Sequence, residues 1–181
     1  MRLTTGTDCP PLVGQDYRGQ QIDLTARRGQ PLLLSFYRYA GCPICNLRVH
    51  QLIQAYPRLQ AAGLALVGVF QSPAAAMARH VGEQHPPFAL IADPQMTLYR
   101  RFGVEQRWRG LFNPAVMVAA VKAMASGFWP GAVNGPLNRV PADLLIDAQG
   151  RIAIAHYGQH LDDHLPLTTI ERWLAEHHRH E

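Results

Sequence analysis

Cys42 and Cys45 lie three residues apart, in a stretch that runs Phe36-Tyr-Arg-Tyr-Ala-Gly-Cys-Pro-Ile-Cys-Asn-Leu-Arg48. An apolar run, Pro31 to Phe36, precedes them, and a helical pattern, Asn46 to Leu59, follows. A cysteine at the opening turn of a helix meets unpaired N–H groups and the positive end of the helix dipole, and both favour thiolate over thiol. The i, i+3 spacing sets both sulfurs on one turn, within reach of a disulfide. Thiol redox exchange is therefore the chemistry this pair indicates first. Two plainer readings stand beside it: half of a metal knuckle, or two inert structural cysteines.

Nine histidines make the metal reading worth weighing, His50, His80 and His85 above all. A structural zinc site gathers four ligands, usually from a second close pair, and no other Cys-x-x-Cys or His-x-x-x-His completes the first. The closing Glu176-His-His-Arg-His-Glu181 reads as a polar helix end, where cations suit the dipole. Neither a metal nor a cofactor is assigned. Cys9, before Pro10, is read as a small loop residue, with a distant resolving thiol as its alternative role.

Composition narrows the rest. The 181 residues fit one domain, 1–181, and 48% apolar with 17% charged residues argues for a packed core and against disorder. The net charge of +4 comes almost wholly from arginine, since Lys122 is the only lysine. Arg27-Arg28 and Arg100-Arg101 are the only adjacent pairs, so the clustered stripe that nucleic acid wants is missing. Three unevenly spaced cysteines do not make a secreted disulfide framework, and the polar opening Met1-Arg-Leu-Thr-Thr-Gly-Thr-Asp8 lacks an apolar signal core. The expectation is a cytoplasmic protein with no nucleic-acid or membrane partner.

The elements that must position the cysteines follow in order. Residues 6 to 30 read as a loop and hairpin turning at Gly19, and Pro31 to Tyr37 as a strand buried on both faces. The helix after the cysteines should stop near Pro57 or Gly63. Leu64 to Phe70 is a second buried strand. Ser72-Pro73 supplies an N-cap and a first-turn proline for an alanine-rich helix to about Gly82. Phe88 to Ala92 is a third strand, and Asp93-Pro94 caps a helix through Phe102. Asp143 to His156 forms a hairpin around Asp147-Ala-Gln-Gly150, and an amphipathic helix with Leu167, Ile170, Trp173 and Leu174 closes the chain. This order predicts an α/β fold, a central mixed sheet with helices on both faces and a helical insertion near 104–138. Within that insertion, Leu111 to Trp129 is apolar nearly all round yet too short for a membrane span of ~20 residues. It reads as a buried helix, a homodimer contact or a flap beside the cysteines.

On these segments the chain resembles the peroxiredoxin-like branch (alkyl hydroperoxide reductase and thiol-specific antioxidant type) of the thioredoxin-fold superfamily. Gly6-Thr-Asp-Cys-Pro10, Asp16 to Leu24, Arg28 to Tyr37, Ala92-Asp-Pro94 and Leu145 to Ile152 carry the resemblance. It implies a thioredoxin-like fold and puts Cys45 at the family's peroxidatic position. Arg38 then stands where the family keeps a proline, and Cys42 where it keeps a threonine or serine. The family's active-site arginine aligns with Pro141, with Arg139 close by. A proline there is instead the thioredoxin pattern, which makes Val140-Pro141 the candidate for a cis bond.

The resemblance implies a thiol peroxidase: Cys45, or Cys42, attacks a hydroperoxide, the other cysteine resolves the sulfenic acid, and a thioredoxin- or glutathione-type reductant restores both. Arg38, Tyr39, Arg139 and Pro141 are the candidate substrate-binding residues. The family frame favours Cys45 as the attacking sulfur, whereas helix geometry favours Cys42. A thioredoxin-like disulfide reductase with Cys42 as nucleophile is the second reading, and a metal-binding module the third.

Overall fold

Burial on both faces governs the strands at the centre of this protein. The computed structural model describes residues 1–25, 29–106 and 113–177. The Arg27-Arg28 pair, Leu111 and residues 178–181 of the terminal cluster lie outside them. Strands β1 (Val13–Gln15) and β2 (Gln21–Asp23) form the N-terminal hairpin. Its turn is held by Asp16, whose Oδ1 accepts the N–H groups of Arg18 and Gln20. The main sheet is mixed, in the order β5 (Ala89–Ala92), β4 (Ala65–Phe70), β3 (Leu32–Phe36), β6 (Ala142–Ile146), β7 (Ile152–Tyr157). β3 and β4 run parallel, as do β4 and β5, while β6 lies antiparallel to both β3 and β7. Every residue of β3, β4 and β6 is buried, which is why their sequences run apolar without alternation.

The two faces carry separate cores. Leu33, Leu66, Leu90 and Leu145 point into one, with Val49, Leu52 and Leu59 of helix α1 (Pro43–Ala61) and Ile170 and Leu174 of α5 (Leu167–His177). Leu32, Leu34, Phe36, Val67 and Val69 point into the other, against Leu98 and Tyr99 of α3 (Thr97–Arg101) and Phe102 beyond it. Each such side chain fully removed from water is worth about 1.5–3 kcal/mol. The expected thioredoxin-like arrangement of sheet, flanking helices and N-terminal hairpin is present.

Several boundaries differ from the sequence reading. Helix α1 begins at Pro43, three residues before the expected Asn46, because Pro43 occupies the first turn, where no N–H is needed. It runs through Pro57 and ends at Ala61, close to the expected Gly63, whose φ of +74° lets the Leu64 N–H turn back to the Leu59 carbonyl. The alanine-rich helix is only α2 (Ala74–Ala78), followed by a 3₁₀ turn over Val81–Gln84. Ser72 does not cap it; its Oγ accepts the Ala40 N–H at 2.8 Å instead. Asp93 is not the N-cap either: α3 starts later, with Met96 in that position, and the Asp93 carboxylate reaches forward to accept the N–H groups of Thr97 and Leu98.

The apolar insertion contains α4 (Pro114–Ala125), capped by Asn113 and packed along α1. It is neither wholly buried nor wholly free. Its small residues Ala119 and Ala123 are buried, while Met117, Val118, Val121 and the following Trp129 are more than half exposed. Among the described residues, no helix is long and apolar enough to cross a membrane.

Candidate thiol site

The end of β3 launches the cysteine loop. The Tyr37 N–H extends the parallel ladder to the Val69 carbonyl, and the Gln71 N–H reaches the Arg38 carbonyl. At Cys42 the backbone is extended (φ −75°, ψ 120°), as an N-cap residue must be, and its N–H returns to the Tyr39 carbonyl. The cap uses sulfur in place of the usual oxygen: Cys42 Sγ accepts the Cys45 N–H at 3.4 Å. Both cysteines are free thiols here, unbonded to one another, and both are buried.

The same surroundings push the two thiols in opposite directions. Burial acts to raise Cys42, but the Cys45 thiol, the charge of Arg38 and the N–H groups of Cys45 and Ile44 outweigh it and hold Cys42 below the usual thiol range. Cys45 is raised well above that range by burial and by the neighbouring Cys42 sulfur. One sulfur is set up to carry negative charge while its neighbour keeps a proton.

Arg38 supplies the cation, and it is no solvated surface residue. It is 6% exposed, its guanidinium lies 5.0 Å from the centroid of the buried Tyr39 ring, and its Nε has no hydrogen-bond partner among the described residues. Arg139 is equally buried but otherwise engaged. It donates to the Val104 carbonyl at 2.7 Å, to Gln71 Oε1 and to Met96 Sδ, and stacks 4.9 Å over Tyr99, whose ring belongs to the opposite core.

Pro141 precedes Ala142, which pairs with Phe36, so it stands at the sheet end from which the cysteine loop departs. The expected cis bond is absent: every peptide bond among the described residues is trans. In this form Val140 is buried and the Pro141 carbonyl accepts the Gly158 N–H; the small intrinsic cost of a cis X-Pro bond never demanded the cis form. Cys9 packs with the core on the other face from Cys42 and Cys45, and burial lifts its thiol to about 11. No group of three metal-ligating side chains converges among the described residues. His50 lies instead beside the Phe128 ring, and His80 against Gly131.

Residues 5–155 match the AhpC/TSA family. The chain belongs to that family. Peroxiredoxin Bcp of Escherichia coli K12 is similar to it at 28% identity, covering 97% of each chain. Chloroplastic peroxiredoxin Q of Sedum lineare is 23% identical over 57% of this chain, which spans only 55% of that relative's length. Among solved structures, the peroxidoxin BcpB of Mycobacterium tuberculosis superposes with a TM-score of 0.68 over 96% of both chains, at 17% identity. This AhpC/TSA protein is thus a thioredoxin-fold enzyme of the thiol peroxidase and thiol oxidoreductase class.

Three residues that hold the cysteine loop, Asn46, Gln84 and Ser72, are not among the site residues the sequence suggests. Asn46 donates both amide hydrogens inward, to the Ala40 carbonyl at 2.6 Å and the Cys42 carbonyl at 2.9 Å. Gln84 donates to Asn46 Oδ1, and Ser72 holds the Ala40 N–H. The signal available was faint: an asparagine is a poor choice inside a helix's first turns unless its side chain has backbone to bind.

Residues 126–138 lie against the cysteine loop as a strap. The Gly131 N–H donates to the Gly41 carbonyl at 2.9 Å, and the Gln71 side chain to the Pro136 carbonyl at 3.0 Å. A Cβ on Gly41 would fall 2.8 Å from the Gly131 carbonyl carbon, so glycine is what permits this approach.

Proposed function

We propose that this enzyme reduces hydroperoxides with Cys42 as the attacking sulfur and Cys45 as the resolving one. The observation that carries this reading is the cap at Cys42, whose Sγ accepts the Cys45 N–H at 3.4 Å beside the buried Arg38. The Cys45 thiol, Arg38 and the helix N–H groups hold Cys42 low, while burial and the Cys42 sulfur hold Cys45 high. The family frame favoured Cys45, but a thiol kept protonated is a poor nucleophile.

The Cys42 thiolate attacks the distal oxygen of ROOH, the O–O bond breaks, and RO⁻ leaves and takes up a proton as ROH. The unpartnered Nε–H of Arg38 supports a role in polarising that oxygen. Cys42 is then a sulfenic acid. With the Cys42 charge gone, one cause that held Cys45 high is removed. The Cys45 sulfur attacks the sulfenic acid, and the Cys45 proton leaves with the hydroxyl as water, forming a Cys42–Cys45 disulfide. A thioredoxin- or glutathione-type thiol returns both to the reduced state by two exchanges.

Disulfide exchange is the second reading, because a low first cysteine at a helix start, with Pro141 at the same end of the sheet, would serve it equally. Turnover of hydrogen peroxide and of a model protein disulfide by wild type, Cys42→Ser and Cys45→Ser tests both. Cys45→Ser should accumulate a dimedone-trapped sulfenic acid on Cys42, and Cys42→Ser should trap none. Trapping on Cys45 would overturn the assignment, and disulfide turnover far exceeding peroxide turnover would favour the second reading.

A further inference from the structure

We propose that Asn46 is a positioning residue for the Cys42 thiolate, held in its working orientation by Gln84. Asn46 is 7% exposed, and its Nδ2 donates to Ala40 O and Cys42 O at 2.6 and 2.9 Å. These two carbonyls bracket the loop residue Gly41, so one side chain ties the loop's entry to the helix's first turn. The Cys42 carbonyl also accepts the Asn46 N–H at 3.0 Å, which makes it a doubly engaged anchor for the cap residue.

The geometry gives this tie an electrostatic consequence. The Cys42 sulfur is stabilised by the Cys45 N–H across 3.4 Å, a long contact that a small rotation of Cys42 would lose. The amide of Asn46 could also turn over, aiming its oxygen at the two carbonyls and repelling them. Gln84 opposes this: its Nε2 donates to Asn46 Oδ1 at 3.1 Å and to the Asn46 carbonyl at 3.2 Å, and a donor there requires oxygen, not nitrogen, to face it. Ser72 completes the hold from the sheet side by accepting the Ala40 N–H. The inference rests on the reading that Cys42 carries the charge.

The test titrates the reduced full chain by thiolate ultraviolet absorbance and by iodoacetamide alkylation against pH, with the alkylated cysteine read by mass spectrometry. Asn46→Ala should move the Cys42 midpoint upward by about one pH unit and slow alkylation about tenfold below it, with rates converging on wild type at alkaline pH. Gln84→Ala should shift the midpoint the same way, with a rate loss of about threefold. A midpoint unchanged in Asn46→Ala, with only thermal stability lowered, would overturn the proposal. Should Asn46→Ala not fold, an unchanged midpoint in Gln84→Ala overturns it alone. Wild type that titrates as expected yet consumes no hydrogen peroxide would defeat the peroxidase reading and leave the positioning role standing.

Discussion

The Cys45 N–H donates to Cys42 Sγ across 3.4 Å, so the residue that keeps its own thiol proton helps its neighbour lose one. Burial opposes charge on Cys42, but the Cys45 thiol, Arg38 and the first-turn amides together bring it from 9.0 to about 7. Alkylation of reduced protein should therefore rise with pH through about 7, modifying Cys42 before Cys45. The linkage has a definite sign. Between about 7 and about 9 the unfolded thiol still binds a proton that folded Cys42 has released, so stability rises with pH across that window and is lost as pH falls through it. Denaturation of reduced wild type against Cys42→Ser checks this: the rise should vanish in the variant.

Two buried arginines should part company on substitution. Arg38→Ala removes the cation that favours the Cys42 thiolate, so alkylation and peroxide oxidation near neutral pH should fall about tenfold or more. Arg139→Ala should instead destabilise the fold by about 2 kcal/mol, through the orphaned Val104 carbonyl and the uncovered Tyr99 ring, with the Cys42 titration unmoved. Urea denaturation and thiol titration of both variants suffice; a shifted Cys42 midpoint in Arg139→Ala would refute the separation.

Gly41→Ala should disturb the strap. Its new Cβ would press on backbone at Gly131 and Ala132, at 2.8 and 2.9 Å, which cannot yield as a flexible side chain would. We expect a loss of about 1–3 kcal/mol and faster reaction of the cysteines with a bulky thiol reagent. Equal protection of the thiols in the variant would mean that the strap does not shield them.

Asp143 makes the strongest stability prediction. It is fully buried; His164 Nδ1 approaches its Oδ2 at 2.9 Å, and the Leu165 N–H donates to the same atom at 2.7 Å. Burial acts to raise its carboxyl, but the charge and hydrogen bond of His164, with Arg48 and Ser35, carry it well below the usual carboxylate range. Its folded value is depressed, so its contribution is present above the unfolded value and lost only as strong acid is reached. Asp143→Ala, which strands His164 in the interior, should cost about 3–5 kcal/mol in equilibrium unfolding at neutral pH.

Features with a local or periodic cause were legible in the residues alone. Unbroken apolar runs at Leu32 to Phe36 and Ala65 to Phe70 require strands covered on both faces, and the Cys-Pro-x-Cys opening before a helical pattern requires two thiols on a first turn. Contacts made across the fold decided the rest. Ser72 has the right type to cap the helix beside it, yet its hydroxyl goes to Ala40, thirty-two residues away in the chain. Arg38 and Arg139 are equivalent as letters; β3 delivers one to the thiols, while the approach to β6 sets the other over Tyr99. The outward large side chains of α4 and the division of charge between Cys42 and Cys45 have the same origin. Each depends on which distant backbone or charge arrives beside a residue, and spacing along a chain carries no record of that.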